Sequence, residues 1–393
     1  MKTIVCLLHG LSDEPLQDLG GLTPLQKANC HYLDSLVRKG NPLVMQTPQY
    51  GGFETAFLKM LGIQEELDSL AQAALEAYSL GYVLTPTQVA FSLRFVTLGQ
   101  DVVIDASDQL LSDHEGKRLC SDLNAHFGNW ACHFLHLQGP EAVLLCEHEL
   151  LQALPKKPSY NPLKAIGKQW IELMMESKEG GGPSLLLEIQ RFLQNHELNE
   201  LKVDLEESQA NGFLLFNGGA KIAFSPENLA FQTAKMQIYT RCSKTLGIAK
   251  MLDIDAFQWP KEKRKYEHLI KLLGKLDDIF ARKDVLIMES HQLWDSTYHG
   301  SLLDKVKGIE WLDRYVVKHL YHFCQTRDCQ LFVLPLRHSS IKSGQILHGE
   351  VPAIFFSNDL EIIPKDIAHF DEAILKAPLP RKCLSKIFSS KRP

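Results

Sequence analysis

The chain has 393 residues, of which 45% are hydrophobic and 23% are charged, and its formal net charge is -5 at pH 7. These values predict a globular protein with two domains, or with one large domain that carries an insertion. No basic field points to nucleic acid, and no apolar run approaches the roughly 18 residues of a membrane span. Nine scattered cysteines without a CxxC pair favour a reducing compartment, so we expect a cytoplasmic location.

The first forty residues predict a strand, a turn and a helix. The run "TIVCLL" is typical of a buried strand, "HGLSDEPLQDLGG" of a connection, and "TPLQKANCHYLDSLVRKG" of a helix. Thr23 is a good N-cap, Pro24 suits the first helical position, and Gly40 ends the pattern. This order opens an α/β fold, in which ligands bind at the carboxyl ends of parallel strands.

The middle of the chain has a different pattern. From about residue 113 to 235, helical stretches mix with short strands, which predicts an inserted α+β domain between core segments 1–112 and 236–393. The polar stretch "WPKEKRKYEHLIKLLGKLDD" that follows is typical of a solvated amphipathic helix rather than of a binding patch.

The last third returns to strands alternating with helices. Buried strands are predicted at "DVLIME" (284–289), "CQLFVLPL" (329–336) and "VPAIFFS" (351–357), and a long helical pattern covers "SLLDKVKGIEWLDRYVVKHLYHFCQ". Because the same alternation opens the chain, we expect one doubly wound sheet built from both ends. The basic tail "LPRKCLSKIFSSKRP" is interpreted as solvated, with a membrane or protein partner as the alternative.

Candidate ligands stand next to several predicted strands. Asp295 and His299 share one segment, and His338 and His348 flank later strands, so that their oxygen and nitrogen atoms suit Zn, Mn or Fe. His9 follows the first strand, although a local hydrogen bond explains it equally well. A chain with 16 histidines also produces such sets by chance.

The sequence shows no recognisable nucleophile. It contains no GxSxG elbow, no P-loop and no GxGxxG after a strand. The segment "NGGAK" (217–221) offers backbone amides to an anion, but a tight turn is the alternative interpretation.

A resemblance to a known family connects these pieces. The stretch "DEPLQDLGGLTPLQKANCHYLDSLVRKG" is similar to the start of archaeal-type cofactor-independent phosphoglycerate mutases, in which "DGxxD", "lgGkTPLeaA" and "tPnmDxLAxxG" occur in this order. Further similar pieces follow collinearly: "QVAFSLRFVTL", "NHELNELK", "ANGFLLFNGGAK", "LGIAKMLDI", "DSTYH", "PLRHSS" and "LHGEVPAIFFS". The resemblance therefore covers nearly the whole chain.

This resemblance implies an alkaline-phosphatase-like doubly wound core with an inserted α+β cap. It also implies two divalent metals, usually manganese or zinc, and phosphoryl transfer through a serine. One metal site is complete, because Asp295, His299 and His348 stand at the positions of its aspartate and two histidines.

The second metal site departs from the family pattern. His9 replaces the aspartate after the first strand, and Arg337 replaces the aspartate of the later "DH" pair. His338 is then the one ligand that stands in its place. The resemblance therefore predicts one divalent metal at most, with His9 and His338 as further candidate ligands.

The nucleophile and the substrate arginines depart as well. In "YGGFETA" Phe53 falls at the serine position, and a slightly shifted alignment would leave Thr55 or Thr47 as the nucleophile. Three positions of family arginines hold other residues, namely Ser92, Lys202 and Asn217. A phenylalanine cannot attack phosphorus, so mutase activity is not expected.

Two interpretations remain. In the first, the chain is a pseudoenzyme or binding scaffold for a small phosphorylated molecule or a protein partner. In the second, it is a rebuilt one-metal phosphatase or phosphotransferase, in which the guanidinium of Arg337 clamps phosphate in place of the lost cation. Lys202 and Asn217 are the other candidate phosphate-binding residues.

Overall fold

The computed structural model describes residues 2–49, 51–63, 72–128, 132–147, 162–174, 181–220, 235–258, 267–358 and 367–384. Its chain divides into two compact units, Met1–Asp68 with Phe224–Pro393, and Ser69–Ala223. None of the described helices combines the length and the apolar character that crossing a membrane requires. The end of the basic tail, from residue 385 onward, lies outside the described residues.

The first unit is built on an eight-stranded mixed sheet. Its strands are β1 (Lys2–Leu8), β2 (Asn41–Gln46), β8 (Met236–Thr240), β9 (Asp255–Gln258), β10 (Val285–Ser290), β11 (Cys329–Leu334), β14 (Glu350–Ser357) and β15 (Arg381–Cys383). They are arranged in the order β15-β2-β14-β11-β1-β10-β8-β9. The strands from β11 to β9 run parallel, whereas β14 is antiparallel to both of its neighbours.

The helices of this unit connect the strands. They are α1 (Pro24–Lys27), α2 (His31–Lys39), α3 (Phe53–Met60), α9 (Ser243–Met251), α10 (Glu267–Leu273), α11 (Leu276–Phe280), α12 (Gln292–Tyr298), α13 (Leu302–Leu312) and α14 (Lys318–Gln325). A small antiparallel pair, β12 (His338–Ser340) and β13 (Gln345–Leu347), follows β11. The predicted α/β sheet with strands from both ends of the chain is confirmed.

The single predicted helix over residues 23–40 is divided in two. Thr23 and Gln26 form a capping box in which Pro24 takes the first helical position, as the sequence predicts. The backbone then turns extended at Ala28, and α2 starts anew. The carboxylate of Asp313 accepts hydrogen bonds from the backbone N–H groups of Tyr32 and Leu33, which would otherwise be unpaired at the start of α2.

The long helical pattern near the carboxyl end is continuous but irregular. Helices α13 and α14 are joined by a π-helical turn at Asp313–Val317, which places the capping carboxylate of Asp313 toward α2. Such turns are frequent where a side chain is redirected for a specific role. The predicted amphipathic helix near residue 270 has its described part in α10, whose Leu269, Leu272 and Leu273 join the core.

The second unit has its own antiparallel sheet and its own apolar core. Its strands are β3 (Gln88–Gly99), β4 (Val102–Asp105), β5 (Cys132–Gln138), β6 (Glu141–Glu147) and β7 (Gly212–Ala220). Its helices are α4 (Gln72–Ser79), α5 (Asp113–Phe127), α6 (Trp170–Met174), α7 (Gly181–Gln194) and α8 (Glu197–Asp204).

The boundaries of this unit differ from the expected insertion at 113–235. The unit begins at Ser69 because β3, which the sequence assigned to the core segment 1–112, pairs on its two sides with β6 and β7. Both partners come later in the chain. The unit ends at Ala223, before β8 enters the large sheet.

Candidate functional site

Three neighbouring parallel strands end at the same edge of the large sheet. Strand β1 lies beside β10, with Leu7 opposite Glu289, and β10 lies beside β8. The residue after β1 is His9, whose backbone N–H donates to the carbonyl of Ser290 at 3.0 Å. The residue after β10 is His291. Sheet topology thus gathers these side chains at the edge where α/β folds bind ligands.

Two imidazoles meet one carboxylate at this edge. His9 Nε2 lies 2.7 Å from Glu289 Oε1, and His291 Nε2 lies 3.1 Å from the same oxygen. The side chains of His9 and Glu289 are buried, with 0% and 1% exposure, and His291 is 12% exposed. Among the described residues, these three form the one group whose potential ligand atoms, all within 4.8 Å of one another, could hold a metal ion.

Residues at the end of β8 support this cluster. Thr240 Oγ1 donates to Glu289 Oε2 and accepts a hydrogen bond of 2.9 Å from the backbone N–H of Cys242. The side chain of Cys242 lies close enough to His291 to favour the charged form of this imidazole, which contributes to its raised pKa. The carboxylate of Glu289 and the imidazole of His291 thus both have neighbours at the end of β8.

Burial and charge set the protonation of the cluster. Burial, together with the nearby His291, lowers the pKa of His9 to about 4. Burial also disfavours a charged His291, but the carboxylate of Glu289 outweighs this effect and raises the pKa of His291 to about 10. For Glu289 burial is likewise opposed by the two histidines, which hold its pKa well below the usual range. At neutral pH the cluster holds a neutral His9 beside an ion pair.

Phe53, the residue at the predicted serine position, is the first residue of α3 and only 8% exposed. Its ring centroid lies 4.2 Å from that of His9, 5.1 Å from that of Trp294 and 5.9 Å from that of His291. Thr55, the weaker nucleophile candidate, is buried at 3% exposure. At the predicted serine position, an aromatic ring therefore packs against the cluster.

Arg337 is fully buried, and it binds the loop that leads to Phe53. Its guanidinium donates to the backbone carbonyls of Gly52, at 3.2 Å, and of Pro48. Burial lowers the pKa of Arg337 to about 10, an effect that the nearby Glu54 partly opposes. Thr47, the other hydroxyl considered in this loop, donates to the carbonyl of Gly349 at 2.6 Å.

His338 lies in a separate polar network. Its Nδ1 is 2.8 Å from Ser12 Oγ, and its pKa is lowered by burial. Next to it, the buried ammonium of Lys305 binds the carboxylate of Asp13, with further hydrogen bonds to the hydroxyls of Thr297 and Ser339. These hydrogen bonds and this ion pair connect the loop after β1 to strand β12.

The predicted triad of Asp295, His299 and His348 does not belong to the metal-compatible group found among the described residues. The carboxylate of Asp295, 42% exposed, forms an ion pair with Arg241. His299 Nδ1 lies 2.7 Å from the carbonyl of Asp295, and His348 is exposed. The carboxylate that a metal would need is thus neutralised by a guanidinium.

The remaining candidates lie in the second unit. The ammonium of Lys202 is buried between the carboxylates of Glu115 and Glu207, at 3.0 and 3.1 Å. Asn217 has a φ of +55° and donates to Ser92 Oγ at 3.3 Å. The charge of Lys202 is therefore matched by two acidic partners.

Sequence reasoning found His9 but missed Glu289 and His291. Both lie at the end of the predicted strand "DVLIME", where the rule that favoured His9 applies equally. The missing information was that β10 is the neighbour of β1, since these strands are about 280 residues apart in the chain.

Comparison with known proteins shows what the chain resembles. Residues 45–199 match the family model of 2,3-bisphosphoglycerate-independent phosphoglycerate mutase. A mutase of this name from Methanosarcina barkeri is 24% identical over 366 residues, covering 91% of each chain. A probable mutase from Geobacter sulfurreducens is 26% identical over 332 residues, covering 81% of this chain and 80% of its own.

Two solved structures share the fold over nearly the full length. The PH0037 protein of Pyrococcus horikoshii has a TM-score of 0.73 at 19% identity, covering 98% of this chain and 95% of its own. A cofactor-independent phosphoglycerate mutase from Thermoplasma acidophilum has a TM-score of 0.56 at 19% identity, covering 99% and 98%. In sequence and fold the chain is therefore similar, over most of its length, to cofactor-independent phosphoglycerate mutases.

Proposed function

We propose that this chain is a member of the family without a phosphoserine step, which serves as a binding scaffold for a small phosphorylated molecule or a protein partner. The observation that carries the proposal is Phe53. The resemblance aligns it with the serine nucleophile, and its ring packs 4.2 Å from the ring of His9, at the strand-end cluster. A ring at this position offers no atom that can accept a phosphoryl group.

The state of the cations supports the same proposal. Phosphoryl transfer needs positive charge around the equatorial oxygens of the transferred group. Two candidate cations are instead engaged within the protein, because Arg337 binds the carbonyls of Pro48 and Gly52 and Lys202 pairs with two carboxylates. A phosphate would have to compete with these partners for donors that are buried in the protein.

A second candidate function is a one-metal phosphatase or phosphotransferase in the cytoplasm. The observation that favours it is the cluster of His9, Glu289 and His291, which stands next to Phe53. A divalent cation held there, if zinc, manganese or iron, would supply Lewis acidity toward a phosphate oxygen or a bound water. The nucleophile would then be water rather than a side chain.

Two measurements on the full chain separate these functions. The first is calorimetric titration with 3-phosphoglycerate and with inorganic phosphate, and the second is hydrolysis of p-nitrophenyl phosphate with added Mn²⁺, Zn²⁺ or Fe²⁺. Binding without hydrolysis supports the scaffold. Hydrolysis that depends on the metal and disappears in Glu289→Gln, but persists in His196→Gln, supports the phosphatase and overturns the scaffold. His196 is a suitable control because it is a buried histidine paired with Asp122 in the second unit.

A further inference from the structure

We propose that His9, Glu289 and His291 form a binding site for one divalent cation of the zinc type. Of the candidate ligands that the resemblance implies, this set contains His9 alone, and it does not depend on whether the chain binds or hydrolyses phosphate. The site is built from the ends of two adjacent strands, β1 and β10, which hold the ligands on a rigid frame.

The positions of the three ligand atoms are the first argument. Both imidazole Nε2 atoms approach the same carboxylate oxygen, at 2.7 and 3.1 Å. A tetrahedral zinc ion with bonds of about 2.0–2.2 Å holds its ligand atoms roughly 3.3 Å apart. Each imidazole nitrogen would therefore need to move away from the carboxylate oxygen by less than about 1 Å.

A buried nitrogen atom of His291 also favours a bound cation. His291 Nε2 is buried and faces Glu289 Oε1 at 3.1 Å, but among the described residues it makes no hydrogen bond of regular geometry. A buried polar atom without a well-formed hydrogen bond is unfavourable. A cation between the two imidazoles and the carboxylate would give this nitrogen the partner that it lacks.

The groups around the cluster are the third argument. Thr240 Oγ1 donates to the second oxygen of Glu289 and is itself held by the backbone N–H of Cys242 at 2.9 Å. Metal ligands in proteins are oriented in this way by outer hydrogen bonds, whose loss costs about 10–100-fold in affinity. The arrangement thus has the outer partners of a metal site as well as the ligands.

The ligand types determine which cation fits. Two imidazoles and one carboxylate are the donor set of catalytic zinc sites, and the same set also binds iron. A cation that binds here displaces the proton that His291 carries in its ion pair with Glu289. Three protein ligands leave at least one coordination position for water or for an oxyanion. The ring of Phe53, packed against His9, gives the surroundings of the site an apolar side.

The test uses the full chain after removal of metal with a chelating resin, with Zn²⁺ as the probe. Calorimetry and elemental analysis should give one equivalent of Zn²⁺, and Glu289→Gln and His291→Gln should each weaken its binding by more than the ~10–100-fold that an outer partner contributes. His196→Gln, which removes a buried histidine elsewhere, should leave binding unchanged. So should Asp295→Asn, which changes the ligand set implied by the resemblance.

Three results would overturn the proposal: no Zn²⁺ bound to the wild-type chain, full binding retained in Glu289→Gln, or loss of binding in Asp295→Asn alone. Because a variant can fail to fold, circular dichroism accompanies each titration, and the wild-type chain is also loaded with Co²⁺. Intense visible absorption, typical of tetrahedral Co²⁺ with nitrogen and oxygen ligands, is expected. The weak spectrum of hydrated Co²⁺ would contradict the site without any variant.

Discussion

Replacing Lys305 by methionine tests the buried ion pair that fastens the loop after β1. Lys305 and Asp13 both have side chains with 0% exposure, and the ammonium also binds Thr297 Oγ1 at 2.6 Å and Ser339 Oγ at 3.2 Å. Removing one partner of a buried pair leaves the other charge without compensation, which typically costs about 3–5 kcal/mol. We therefore expect Lys305→Met to lower the free energy of unfolding by this amount.

The same change should appear in thermal unfolding. For a unit of this size, 1 kcal/mol shifts Tm by about 2–4 °C, so Lys305→Met should lower Tm by about 6–20 °C. The methylene stem of Lys305 is retained approximately by methionine, which separates loss of charge from loss of volume. Lys307→Met is the matched control, because Lys307 lies on the same helix α13 and is exposed.

Urea unfolding followed by tryptophan fluorescence gives the free energies. Lys307→Met should stay within about 0.5 kcal/mol of wild type, as is usual for surface substitutions. The double variant Asp13→Asn with Lys305→Met should be less destabilised than the sum of the single variants, because the two residues interact directly. Equal stability of Lys305→Met and Lys307→Met would refute the role given to the buried pair.

Three further outcomes are expected from the structure. Gly10 and Gly20 both have positive φ, but a Cβ on Gly10 would lie 2.5 Å from the backbone nitrogen of Trp294. Gly10→Ala should therefore lower the free energy of unfolding in urea far more than Gly20→Ala does. Equal effects of the two substitutions would contradict the close approach. Burial raises the pKa of Glu372 from 4.5 to about 7, so its contribution to stability is present below pH 4.5 and is lost as pH rises through 7. In Glu372→Gln the free energy of unfolding should fall less between pH 4.5 and pH 7 than in the wild-type chain. An unchanged pH dependence would contradict the raised pKa of Glu372. Asp313→Ala should lower the free energy of unfolding by about 1–2 kcal/mol, because α2 loses its cap. Asp313→Asn keeps an acceptor and should recover part of this loss. Unchanged stability of Asp313→Ala would exclude the capping role.

The fold was largely predictable because buried parallel strands appear as short apolar runs between helices. The runs at 284–289 and 329–336 correspond to β10 and β11 within one or two residues. The boundary of the second unit was not predictable in the same way. The run of β3 has the same apolar character as a core strand, and its pairing with β6 and β7, which both come later in the chain, assigns it to the second unit.

The site was predictable in part for a related reason. His9 follows a strand that the sequence identifies, so its position at the sheet edge follows from the fold class. The ion pair between Arg241 and Asp295 brings together residues 54 positions apart, and no local pattern indicates it. The sequence therefore names Asp295 and His299 as candidate ligands, and these remain a prediction. It does not name the carboxylate of Glu289, which is buried at the end of an apolar strand.

We propose that no phosphoserine intermediate forms on this chain. Incubation with radiolabelled 3-phosphoglycerate tests this proposal most directly. The purified chain, with Mn²⁺ or Zn²⁺ added, is examined for 2-phosphoglycerate and for label on the protein, beside the Methanosarcina barkeri relative as a positive control. The account predicts no isomerisation above the rate without protein and no labelled chain, because Phe53 offers no oxygen to phosphorus. Isomerisation that copurifies with the chain, together with label on a threonine such as Thr55 or Thr47, would contradict it.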